Sequence, residues 1–296
     1  MSDGPNAAPP APRSNLWLES RYRKLVRGLP QTIFYCPKCK GDRRRREGCP
    51  TCQGFGKLTR ESVQELIGRR MVPAMQAKAG VFHGAGREDI DVRMLGQGRP
   101  FVYEIQGARN PNVDLEALRA EIVQRAGGQI ELAPFVRVPK ARVVYWKETH
   151  FDKIYRALVG VAAAPAAAAV AAVAGFAGGI AQRTPQRVAH RRADLERQRS
   201  LRVLAFTPAG GEQFELRVVC QHGTYVKEWI SGDEARTSPS LATLLGVPCQ
   251  CLELDVEEIL TPGIEGPHPP ALAAATDAAE ATGEPGAGPD GAAAGS

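Results

Sequence analysis

The run His83-Gly-Ala-Gly-Arg-Glu-Asp-Ile-Asp-Val-Arg-Met-Leu-Gly-Gln-Gly-Arg-Pro-Phe-Val-Tyr-Glu-Ile105 decides the reading of this chain. It sets three acids (Glu88, Asp89, Asp91) and three arginines (Arg87, Arg93, Arg99) among glycines. Asp89 to Leu95 and Pro100 to Ile105 read as strands, and Gly96-Gln97-Gly98 has the composition of a turn, so the spacing predicts a hairpin. A turn that feeds Gly-Arg-Glu-Asp into a strand would hold a carboxylate rigidly beside a guanidinium. Such a carboxylate stays ionised and can serve as nucleophile or base. On spacing alone a polar hairpin end with solvated charges fits equally well. Strand alternation would turn Glu88 to the opposite face from Asp89, whereas Asp91 would share that face.

Outward from the hairpin, apolar periodicity predicts helices over 14–32, over Glu61 to Lys78, and over Val113 to Ala126, the last stopped by Gly127-Gly128. Strands are expected near Gln129–Val138, Ala141–Lys147, Tyr155–Gly160, Leu201–Thr207, Phe214–Gln221 and Cys251–Ile259. Short helices are expected from Thr224 and over Ser240–Leu245. Many strands, interspersed helices and few βαβ units imply an α+β fold with a largely antiparallel sheet. The expected organisation is a disordered tail at 1–13, an N-terminal helix and cysteine module over 14–60, a main domain over 61–261 with an Ala-rich and basic insertion at about 160–200, and a disordered tail at 262–296. Residues 157–181 form an uncharged run of 25, long enough to raise the question of a membrane span. Its Ala, Gly and Pro content gives little transfer energy, so no membrane association is expected.

All 38 Lys and Arg but only 23 of the 32 acids precede Glu253, which leaves residues 1–252 at +15. A body that basic points to a polyanionic partner. Gln182 to Arg202 concentrates the charge. Its Arg183, Arg187, Arg191 and Arg192 would track phosphates, with Arg183, Arg187 and Arg191 along one helical face, although Thr184-Pro185 argues for an extended entry. Residues 1–15 lack the apolar segment of a secretory signal, and a reducing cytoplasm is the expected location.

Cys36-x-x-Cys39 and Cys49-x-x-Cys52 are nine residues apart and set in Pro/Gly turns. Each pair aims two thiolates at one point, so together they predict a tetrahedral structural zinc site. Four Cys ligands leave no open position for catalysis. The intervening Arg43 to Arg46 either touch a phosphate backbone or form a solvated loop.

Five segments in order carry a resemblance: Gly86-Arg87-Glu88-Asp89 with its flanks, Lys153-Ile154-Tyr155-Arg156-Ala157-Leu158, the block from Gln182 to Asp194, Gly223 to Pro239, and the cysteine pairs. Over about residues 33 to 259 the chain resembles the Pus-ten family of tRNA pseudouridine synthases. The resemblance implies the pseudouridine synthase fold, a mixed sheet with flanking helices and a central cleft. It implies an isomerase that converts uridine to pseudouridine in tRNA, at T-loop uridine 54 or 55, without an organic cofactor. By the same resemblance Asp89 is the catalytic carboxylate, and Lys227 supplies its ion pair. Tyr155 stacks on the base and helps remove the C5 proton, and Arg87 handles the RNA around a flipped-out nucleotide. No protein partner is evident.

The chain departs from the family in one respect. About 30 residues separate Cys52 from the hairpin, which leaves no room there for the THUMP-containing accessory domain of typical members. A second reading is therefore carried along: a zinc-knuckle RNA-binding protein or RNA chaperone without catalysis.

Overall fold

The computed structural model describes residues 13–190 and 193–272. Strand β1 (Ser14–Lys24) leads into the cysteine module with its single turn α1 (Arg43–Arg46), then α2 (Val63–Ala74), β2 (Ala79–Gly84) and β3 (Arg93–Ala108). Helix α3 (Leu115–Arg125), short strands β4 (Ile130–Leu132) and β5 (Val136–Val138), and α4 (Ala141–Glu148) follow. The second half runs β6 (Lys153–Val161), α5 (Ala167–Ala174), β7 (Ala177–Arg183), α6 (Gln186–Ala189), β8 (Glu196–Gly210), β9 (Gln213–Cys220) and α7 (Val226–Ser231). It closes with β10 (Thr237–Ser238), α8 (Leu241–Leu245) and β11 (Cys249–Ile259).

The strands form one sheet in the order β10-β7-β8-β9-β6-β11-β3-β1-β4, with β2 also paired to β3 and β5 to β1. Among the described residues every pairing is antiparallel except β11 on β3, where Asp255 faces Arg93. This is the mixed, mostly antiparallel α+β architecture expected from the sequence. The parallel pairing is a seam between two halves, one from residues 14–138 and one from residues 153–259. The loop before β3 and the helix α7 both open at that seam, and this is what positions the site.

Three expected elements are corrected. The predicted helix over 14–32 is strand β1, whose alternation buries Leu16, Leu18, Ser20, Tyr22 and Lys24 on one face. It pairs with β3 and so belongs to the main sheet rather than to a separate N-terminal module. The predicted strand over 141–147 is helix α4, in which Val143 and Trp146, one helical turn apart, are buried. The predicted hairpin is absent because β3 runs unbroken through Gly96-Gln97-Gly98. The glycines are there for close approach. A Cβ on Gly98 (φ +80°) would sit 2.7 Å from the Tyr22 carbonyl oxygen, and one on Gly96 2.2 Å from that of Glu257.

The uncharged run at 157–181 resolves into the end of β6, the eight-residue α5 and the start of β7. No helix among the described residues is long and apolar enough to cross a membrane. Of the expected tails, residues 1–12 and 273–296 lie outside the described residues. Residues 262–272 run without helix or strand, and His268 Nδ1 lies 2.8 Å from the Asp152 carboxylate at the entry to β6.

Candidate active site

The loop from Ala85 to Val92 hangs from the seam and is fixed from behind by a buried polar cluster. Glu88 has no exposed side-chain surface. It accepts from Arg99 Nε at 2.7 Å and from the Tyr22 hydroxyl at 2.9 Å, and Lys24 Nζ lies 3.7 Å away. Burial, the largest single influence, would lower the Arg99 pKa, but the charge and hydrogen bond of Glu88 together with Tyr22 and Tyr155 outweigh it and hold the guanidinium above its usual range. Arg99 Nη1 also donates to the Ala85 carbonyl, and Gln31 donates to Tyr22 and to the Gly86 carbonyl. Lys24 Nζ donates to the Leu29 and Asp89 carbonyls at 2.8 and 3.1 Å. Arg27 spans from the Asp91 carbonyl to Asp255 on β11. A one-residue step along this anchored backbone turns Asp89 outward, its side chain 40% exposed.

Two cations meet Asp89 from the other half of the sheet. Lys227 Nζ, on the first turn of α7, lies 3.5 Å from Asp89 Oδ2 and 2.7 Å from Asp91 Oδ2. Arg187, on α6, lies 3.3 Å from Asp89 Oδ2 and donates from Nε to Glu228 at 2.5 Å. The Asp89 carboxylate thus sits between two cations, each tethered by a second acid. Burial works to raise the Asp91 pKa, yet the hydrogen bond and charge of Lys227 hold it below the usual carboxylate range. Gln182 on β7 fixes the approach of α7, since its amide both donates to the Tyr225 carbonyl and accepts from the Tyr225 N–H.

The third expected residue, Tyr155, lies on β6. Burial above all raises its phenol pKa, helped by Cys220, Asp89 and Glu88 and opposed by Arg99. The fold therefore brings Asp89 and Lys227 together, and Tyr155 lies near enough to feel the Asp89 charge. Arg87 is exposed at the loop tip, and no ion pair holds it among the described residues.

The predicted arginine stripe is corrected. Arg183 ends β7 and pairs with Asp194 at 3.2 Å, α6 spans only Gln186–Ala189, and β8 begins at Glu196. Pro185 disfavours helix at Thr184, whose hydroxyl instead donates to the Ala193 carbonyl and closes a loop. Arg187 pairs with Asp89 and Glu228 while its side chain stays 43% exposed, and Arg191 and Arg192 lie outside the described residues. The residues that composition did not reveal are Tyr22, Lys24, Gln31 and Glu228. Reading residues 14–24 with period two would have put Tyr22 and Lys24 on one buried face.

Cys36, Cys39, Cys49 and Cys52 are buried, and their sulfurs all lie within 4.8 Å of one another. Cys36 to Cys49 is 3.9 Å and Cys39 to Cys52 is 3.6 Å. Four thiolates about 2.3 Å from a tetrahedral ion stand about 3.8 Å apart, so the cluster can hold a structural metal. Lys40 (φ +53°) with Gly41, and Gln53 (φ +49°) with Gly54, turn both knuckles through the same left-handed path.

The family profile described as "Pus10, C-terminal" matches residues 17–260. A tRNA pseudouridine synthase Pus10 from Methanothrix thermoacetophila is 44% identical over 245 residues, which is 82% of this chain and 53% of that protein. The protein of the same name from Korarchaeum cryptofilum is 42% identical over 83% of this chain and 65% of its own length. That of Methanocaldococcus jannaschii is 41% identical over 82% and 53%. The chain thus spans between 53% and 65% of the length of these relatives.

Proposed function

This chain belongs to the Pus10 C-terminal family, and from that premise we propose that it isomerises uridine to pseudouridine in the T loop of tRNA. The observation that carries the reading is the Asp89 carboxylate, exposed at the seam between Lys227 at 3.5 Å and Arg187 at 3.3 Å. The reaction breaks the bond from uracil N1 to ribose C1′ and forms one from C5 to C1′. The C5 proton leaves and N1 takes one up, so nothing is oxidised or reduced.

Asp89 attacks at C1′ or C6 as the nucleophile, held between the Lys227 and Arg187 cations. Asp91 and Glu228 keep those cations in place when the Asp89 charge is spent on the covalent intermediate. The Tyr155 ring packs on the extruded base. Its raised pKa keeps the phenol protonated, so it enters as a stacking surface and hydrogen-bond donor. The exposed Arg87 fills the gap that the flipped nucleotide leaves in the RNA stack. The four cysteines would hold zinc, which fixes the two knuckles together and adds nothing at Asp89.

Chemical mapping of pseudouridine in a transcribed tRNA, after incubation with the pure chain, tests this reading. A new pseudouridine in the T loop is expected. A transcript that binds and stays unmodified would favour the non-catalytic RNA-binding protein instead.

A further inference from the structure

We propose that the face of the cysteine module bearing Tyr35, Phe55 and Arg43–Arg46 is a second RNA-binding surface, one that takes an unstacked base and its flanking phosphates. The inference rests on the RNA-modifying reading above and adds a site away from Asp89.

The module exposes aromatic surface that the fold does not use. Tyr35 is 53% and Phe55 49% exposed, and Phe34 and Leu58 of the same module are exposed beside them in sequence. Tyr35 pairs across a single bridge with Lys57, so their side chains share a face, and Lys57 Nζ lies 5.3 Å from the Phe55 ring centre. One side of the Tyr35 ring lies against Gly41, where a Cβ would come within 2.5 Å of it. The Gly41 backbone thus holds the ring along one edge while about half of the residue stays exposed, which leaves ring surface for a base to stack on.

The arginines adjoin these rings. Asp42 caps α1 through the Arg44 and Arg45 N–H groups, and the Arg46 stem lies against Gly56, between Phe55 and Lys57. None of Arg43–Arg46 makes an ion pair among the described residues. Residues 33–60 hold eight Lys and Arg against two acids, and one of those, Asp42, is spent on the cap. Exposed arginines beside open rings match a ligand that offers anionic backbone and π-faces together, which a single-stranded or looped RNA does. An apolar protein surface would strand the charges.

The test measures binding of the full chain to a short fluorescent oligouridine and to transcribed tRNA across a salt series, with bound metal checked by mass spectrometry. Tyr35→Ala and Phe55→Ala should each weaken binding roughly tenfold without changing the salt slope, while Tyr35→Phe keeps wild-type affinity. Replacing Arg43, Arg44 and Arg45 by Gln should weaken binding and flatten the slope by about 0.7 for each phosphate no longer neutralised. If Tyr35→Ala sheds its metal, Phe55→Ala and the arginine variant decide. Metal-loaded ring and arginine variants that bind both RNAs as tightly as wild type would overturn the proposal, and would point to a protein ligand for this face. Absence of pseudouridine formation by the wild-type chain would count against the catalytic reading alone, because the affinity comparison does not use turnover.

Discussion

Glu88 and Asp89 are chain neighbours with the same chemistry and opposite roles. Glu88 is sealed behind the loop with Arg99, whose side chain is only 1% exposed, whereas Asp89 opens to solvent between two cations. Removing Arg99 would leave the buried Glu88 carboxylate with only Tyr22 and the more distant Lys24, so Arg99→Leu should cost about 3–5 kcal/mol in urea unfolding. A cost under about 1 kcal/mol would show that Glu88 is not held in this way. Lys153 gives a pH signature. Burial, reinforced by Arg99, lowers its pKa to about 8. Between there and the ordinary lysine value of about 10.4 the unfolded chain binds more protons, so stability should rise with pH across that window. The difference in stability between wild type and Lys153→Met should therefore grow in favour of wild type from pH 8 upward, and a flat difference would contradict it. The divergence of Glu88 and Asp89 was legible from their adjacency. The second cation on Asp89 was not, since Arg187 lies 98 residues away and only the closed sheet brings the two together.

At the level of elements, legibility followed length and periodicity. Long alternating runs such as β6, β9 and β11 fall where the apolar pattern put them, as does α3. Residues 14–24 misled because Leu16, Leu18 and Tyr22 satisfy a helical face nearly as well as a strand face, and tertiary pairing on β3 chose between them. The Val143-Val144-Tyr145-Trp146 run of α4 has strand propensity, yet two side chains buried one turn apart override it. If β1 is an inner strand of the sheet, Leu18→Ala should cost about 2–5 kcal/mol in urea unfolding, because Leu18 is fully buried. A near-neutral substitution would return these residues to the surface helix first expected.

At the scale of the whole molecule, the strands of the two halves join along the short β3–β11 pairing, and Asp89 and Lys227 reach each other across it. The cysteine module stands apart from this seam, with its four sulfurs as a core of their own. Cys49→Ser with Cys52→Ser should therefore release one metal ion per chain and unfold the module while the strand signal in circular dichroism persists. Unchanged metal content would refute the four-thiolate site. The central claim is that one carboxylate at the seam performs the chemistry, and Asp89→Asn tests it most directly because it removes the charge and keeps the shape. Release of tritium from C5-labelled uridine in tRNA should fall to background in that variant while tRNA affinity stays close to wild type. Appreciable release by Asp89→Asn would contradict the account.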